Sequence, residues 1–96
     1  MKALVLNNPG APDTLTMTDL PIPQPAAGEI RVRVHAVGLN PVDYKVAANG
    51  NPAWVYPFVL GLDVAGTVDE LGEGVMKWAI GDRVVYHGNL TKPGGY

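Results

Sequence analysis

Five glycines, at positions 61, 66, 72, 74 and 81, cut the stretch from Pro57 to Tyr86 into short apolar runs. An interior glycine costs a helix about 1 kcal/mol relative to alanine, so this spacing leaves no room for an ordinary helix. It does leave room for strands joined by tight turns, bulges and close backbone approaches. The rest of the chain is built the same way. Its 96 residues include 12 glycines and 9 prolines, about twice average usage. The class this implies is a small, turn-rich domain, all-β or α+β.

Hydrophobic patterning places the elements. Met1 to Leu6 reads as a first strand with apolar side chains on both faces, and Asn8-Pro9-Gly10 as a turn. Leu15 to Leu20 reads as a second strand. The proline-rich Pro21–Pro25 that follows is read as an extended connector rather than a polyproline ligand. Behind Gly28-Glu29 comes the cleanest alternation in the sequence. Ile30, Val32, Val34 and Ala36 take one face, and Glu29, Arg31, Arg33 and His35 the other, as in an antiparallel strand with one wet side. His35 is read as a solvated strand residue. Asn40-Pro41-Val42-Asp43 has the chemistry of a helix start: an amide cap, proline at the first helical position and a carboxylate in the first turn. The helix is expected to run through Ala48 and stop at Asn49-Gly50. Strands near Val64–Leu71 and Arg83–Tyr86 are expected next, with His87 to Pro93 as a final loop.

Composition excludes several functions. Net charge is −2 and the seven basic residues are scattered, which argues against nucleic acid or an anionic membrane as partner. There are no cysteines, so disulfides and thiolate metal sites are excluded. No apolar run approaches a membrane span or a signal-peptide core, which makes the cytoplasm the default expectation. Gly72-Glu73-Gly74 begins like a dinucleotide fingerprint, but Lys77 stands at the third glycine position and no helix-length run follows. The principal nucleotide site is therefore not expected within these residues.

Gly28-Glu29, Asn40-Pro41-Val42-Asp43, Gly61-Leu62-Asp63-Val64-Ala65-Gly66 and Gly81-Asp82-Arg83-Val84 are individually weak motifs. In this order and spacing, the set resembles the zinc-free, quinone oxidoreductase-like branch of the medium-chain dehydrogenase/reductase superfamily. The resemblance implies a GroES-like, partly open β-barrel with a short α-helix. Residues 1–96 would be an incomplete catalytic domain, with the Rossmann cofactor domain absent and Gly94-Gly95-Tyr96 leading into a further strand. It also implies a parent that uses NADPH or NADH, bound mainly by the missing domain, to reduce a quinone or conjugated enone. A homodimeric parent is part of that expectation.

Where the zinc enzymes of the superfamily carry a cysteine and a histidine ligand, this chain has Asn40 and Leu62. No metal is expected, and leucine has no lone pair to offer. The catalytic donors implied are Asn40, Tyr44 and Lys45, with Asn40 and Lys45 on the cofactor side. Trp54 and Tyr56 match the loop that rims the substrate pocket, and packing accounts for both equally well. Close relatives carry a tyrosine where Lys45 stands, and Tyr44 precedes that position by one. Asp43 is read as a structural residue at the helix start, and Asp63 as a buried carboxylate paired with a base, with a plain turn residue as the alternative. The rival readings are a binding or assembly module of the same barrel shape, and an inactive remnant.

Overall fold

The computed structural model describes all of residues 1–96. Six strands and one helix follow in the order β1 (Lys2–Leu6), β2 (Thr16–Asp19), β3 (Ile30–Gly38), α1 (Pro41–Asn49), β4 (Phe58–Val59), β5 (Asp63–Leu71) and β6 (Arg83–His87). A single 3₁₀ turn, Pro12–Thr14, lies between β1 and β2. The strands form two antiparallel three-stranded sheets, ordered β2-β1-β4 and β3-β5-β6. Neither closes on itself, so the architecture is the mostly β, partly open one expected.

The buried core sits on the first sheet. Leu6, Ala47, Trp54, Phe58 and Leu60 form one cluster, and Ala3, Val5 and Val59 a second. Tyr96 packs against both. The last three residues are stitched in by backbone bonds: Gly94 to Val59, Gly95 to Gly61, Tyr96 to Leu60, and Leu4 back to Tyr96. This close approach requires glycine. A Cβ on Gly94 would stand 2.4 Å from the carbonyl oxygen of Gly61. Gly61 itself has φ +100°, and the Tyr96 ring occupies the space its Cβ would need.

The second sheet behaves differently. On β5 the side chains of Val64 and Val68 are buried, while Asp63, Ala65 and Thr67 lie on the wetter side. The alternation read for β3 holds only in its first half. A register shift between Val34 and Ala36 leaves His35 unpaired, so that Ala36 faces Ala65 and Val37 faces Val64. Ala36 therefore joins the outer face rather than the face of Val32 and Val34. A bulge of this kind moves every later side chain to the opposite side, and alternation alone does not reveal it. β4 escaped the sequence reading because a two-residue strand has no period to detect.

Two loop readings are matched by the structure. The connector at Pro21–Pro25 has no regular structure, and the Arg31 guanidinium pins it by donating to Pro23 O at 3.2 Å and Gln24 Oε1 at 3.3 Å. Gly72-Glu73-Gly74 lies in the turn between β5 and β6, where Gly28 N–H donates to Glu73 O and Gly72 N–H to Glu29 O. It is a β-connection with no helix behind it, so the backbone amides needed to cradle a phosphate are not assembled there.

Candidate functional site

Asn40 sits where β3 hands over to α1, and two carboxyl groups meet it there. Pro41 opens the helix, and Gly50, at φ 69°, closes it by donating its N–H to Val46 O. At the N-terminus, the Asn40 backbone N–H donates to Asp43 Oδ2 at 3.1 Å. Asp43 is only 4% exposed. The same Oδ2 accepts the Tyr96 hydroxyl at 3.0 Å, while Oδ1 is buried without a partner. Burial, and then the hydrogen bond to Asp43, push the Tyr96 phenol up to about 12. The reading of Asp43 as a structural residue at the helix start agrees with this arrangement.

The Asn40 side chain turns the other way. Its amide donates to Asp63 Oδ2 at 2.6 Å, and Asp63 Oδ1 lies 2.6 Å from His87 Nδ1. Asp63 is thus paired with a base, as the sequence reading expects, but it is half-exposed rather than buried. The His87 hydrogen bond, followed by that from Asn40, holds its carboxyl below the ordinary value. An ionised carboxylate only accepts, so the His87 nitrogen facing it must carry a proton.

This chain of side chains edges an open concavity of about 620 Å³ on the outer side of β3, β5 and β6. Ala36, Ala65 and Val85 give it an apolar floor, and Asp63 and His87 a polar end. Sequence reasoning missed His87, which was expected in a loop, whereas the structure keeps it in β6 opposite Asp63. Extending the Arg83, Val85 alternation by one step would have placed it there.

The other expected site residues lie elsewhere. Tyr44 and Lys45 are exposed on α1, and neither side chain makes a hydrogen bond or ion pair or lines the concavity. Trp54 is buried, its ring stacked on Phe58 with centroids 4.2 Å apart and its indole N–H donating to Leu90 O at 2.6 Å. Tyr56 packs edge-on to Trp54 at 6.4 Å. Leu62 is buried and lines a crevice of about 10 Å³ with Asp43 and Trp54. Nowhere do three His, Cys, Asp or Glu side chains come together. With Leu62 turned into the core and the Asn40 amide committed to Asp63, the residues present do not fit a zinc ion.

Two short sheets that do not close, one helix capped by asparagine and aspartate, and an open concavity over β3, β5 and β6 make up a partly open, mostly β domain. Residues 26–94 match the alcohol dehydrogenase GroES-like domain. The chain belongs to that family, and with it to the medium-chain dehydrogenase/reductase superfamily. It is 38% identical to the quinone oxidoreductase of Sus scrofa over its whole length, which spans 29% of that protein. Among solved structures, an NAD-dependent alcohol dehydrogenase superposes with a TM-score of 0.81 at 43% identity, over 88% of this chain and 25% of that one. The quinone oxidoreductase of Coxiella burnetii superposes with a TM-score of 0.85 at 34% identity, over 97% and 31%. The chain thus spans about a quarter to a third of these three proteins, which bear the names of oxidoreductases. No helix is long and apolar enough to cross a membrane.

Proposed function

We propose that this chain is the catalytic barrel of a zinc-independent, NAD(P)H-dependent oxidoreductase that reduces quinones or conjugated enones. The observation that carries the reading is the use made of the two positions where zinc enzymes of the superfamily hold ligands. Leu62 is buried in the core and Asn40 is bonded to Asp63. Interconverting an alcohol and a ketone in the zinc branch relies on a Lewis acid to stabilise an alkoxide. Reduction of a quinone or enone instead produces a delocalised anion, which hydrogen-bond donors can stabilise without a metal.

The nicotinamide cofactor, when bound, supplies the hydride. These residues fit one end of such a cofactor and no more. The concavity offers an apolar floor and a polar end, whereas the phosphates have no cradle in the β5–β6 turn. This chain's own part is to present Asn40, Asp63 and His87 at the edge of that surface, with Tyr44 and Lys45 on the adjoining helix.

The experiment is an assay of the longer protein, purified without added metal, against 1,2-naphthoquinone, a conjugated enone and a primary alcohol. Quinone or enone reduction with well under one zinc per chain is the expected result. Stoichiometric zinc, lost together with activity on chelation, would overturn the reading. The 96-residue chain alone is expected to bind NADPH too weakly for calorimetry to give a stoichiometry.

A further inference from the structure

We propose that His87 is a catalytic residue that exchanges a proton with an oxygen atom of the substrate, and that Asp63, braced by Asn40, positions it. The inference rests on the reading above for the reaction, and on geometry for the residue. Asp63 receives one hydrogen bond on each oxygen, from Asn40 Nδ2 and from His87 Nδ1, both at 2.6 Å. With each oxygen bonded, the carboxylate is oriented toward the ring. Because it only accepts, it fixes the proton of the neutral imidazole on Nδ1 and leaves the lone pair on Nε2.

Nε2 makes no hydrogen bond within the chain, and the His87 side chain is 63% exposed beside the concavity. A histidine with one nitrogen anchored to a carboxylate and the other left unpartnered beside a cleft has the arrangement required of a general acid or base. Asp63 on β5 and Tyr86 on β6 are the only other titratable side chains lining this surface, and β3 brings none to it.

Proton and electron balance are simple. As the acceptor is reduced by a hydride from a reduced nicotinamide, its oxygen becomes more basic. The Nε2–H bond of the doubly protonated ring breaks, an O–H bond forms, and the neutral ring regains its proton from solvent. In the reverse direction, a substrate hydroxyl gives its proton to the Nε2 lone pair. No electron passes through His87.

The first arm of the test uses the 96-residue chain and needs no cofactor. Nitrogen-15 NMR at alkaline pH should find the neutral ring protonated on Nδ1 in the native chain. Asp63→Asn should shift that population toward Nε2–H. Added phenol, a hydroxyl probe, should move the Nε2 resonance more than the Nδ1 resonance. A native ring carrying its proton on Nε2, or an Nε2 indifferent to saturating phenol, would overturn the proposal.

The second arm uses the longer protein. His87→Gln should lower turnover about 100-fold and remove one limb of the pH–rate profile, with the KM for the cofactor unchanged. If His87→Gln leaves quinone turnover intact, this inference falls and the proposed function stands. If the native protein is inert toward quinones and enones but oxidises an alcohol in a His87-dependent way, the function reading falls and this inference stands.

Discussion

Asp43 and Asp63 both hold Asn40, and the way each does so separates the two halves of the molecule. Asp43 takes the backbone N–H, is buried, and is closed over by the Tyr96 hydroxyl. Asp63 takes the side-chain amide, is half-exposed, and passes its other oxygen to a histidine beside an open concavity. The first is a cap locked into the core, where each lost partner leaves a buried polar group in need. The second lies on a surface, where water can replace a partner at little energetic loss. One asparagine thus joins a structural carboxyl to a chemical one, and substitutions on the two sides should sort by stability on one and by reactivity on the other.

The largest effect should fall on the buried side. Asp43→Ala removes the acceptor for both the Asn40 N–H and the Tyr96 hydroxyl. Loss of a cap together with unsatisfied buried donors typically costs about 2–4 kcal/mol. Asp63→Ala should lower the melting temperature far less while abolishing the Nδ1–H preference of His87. Gly61→Ala approaches the Asp43 arrangement from its other partner. Forcing a side chain to φ +100° costs of order 1–3 kcal/mol in the backbone alone, and it displaces the Tyr96 ring as well. Equal melting temperatures for the Asp43 and Asp63 variants would break the comparison.

pH should separate the same two regions at opposite ends of the scale. Asp63 is held below its ordinary value of 3.8, chiefly by the His87 hydrogen bond, and Glu29 below 4.5, chiefly by its hydrogen bond from Lys92. A carboxyl whose folded value is depressed contributes stability that is present above its unfolded value and lost as pH falls through the folded one. The second sheet should therefore loosen below about pH 4. Tyr96 is raised to about 12, so its contribution is present in full below about pH 10 and disappears as pH climbs through the folded value. Thermal melts from acid to alkali should reveal both limbs. Tyr96→Phe should remove much of the alkaline limb and leave the acid one untouched.

Asn40→Asp sharpens the comparison because the two sides answer it oppositely. On helix capping alone the exchange is neutral, since aspartate caps as well as asparagine, and the sequence by itself points to lower turnover with an unchanged melting temperature. The geometry reverses the second half of that expectation. A carboxylate at residue 40 would meet Asp63 Oδ2 where the amide now donates at 2.6 Å, and two like charges so close cannot both ionise cheaply. The melting temperature should fall at neutral pH, by less than for Asp43→Ala, and recover as the medium is acidified. An unchanged melting temperature at both pH values would mean that the Asn40–Asp63 bond does not form in solution.

Legibility in the sequence followed the same division. The helix start was readable because its determinants are local: Asn40, Pro41 and Asp43 each have a fixed job within one turn. The strands were readable where alternation is unbroken, as in Ile30 to Val34. What could not be read is what depends on distant partners. The bulge at His35 leaves no mark in composition, and it turns Ala36 to the other face. The Asp63–His87 bond spans 24 residues and depends on the register of β5 on β6, which the intervening turn sets. Trp54 could be recognised as important but not as buried, because an aromatic in a loop is equally suited to a pocket rim or a core. Its stacking on Phe58 required the two-residue strand that no periodicity announces.

The smallest expected effect belongs to Lys45. It occupies an exposed position on α1 with no ion pair, so Lys45→Met should change the stability of this chain by no more than about 0.5 kcal/mol. Any consequence should surface in the longer protein as weaker cofactor affinity, with turnover nearly intact, since a flexible ammonium attracts an anionic ligand without fixing the geometry of reaction. Salt distinguishes this from a steric effect. Screening shrinks an exposed charge's contribution within a Debye length of about 8 Å at physiological ionic strength, so the gap between native and Lys45→Met affinities should narrow as salt is added. A gap that persists at high salt would place the ammonium in direct, desolvated contact with the ligand and move Lys45 into the site beside His87. No gap at any salt concentration would confine the chemistry of this chain to Asn40, Asp63 and His87.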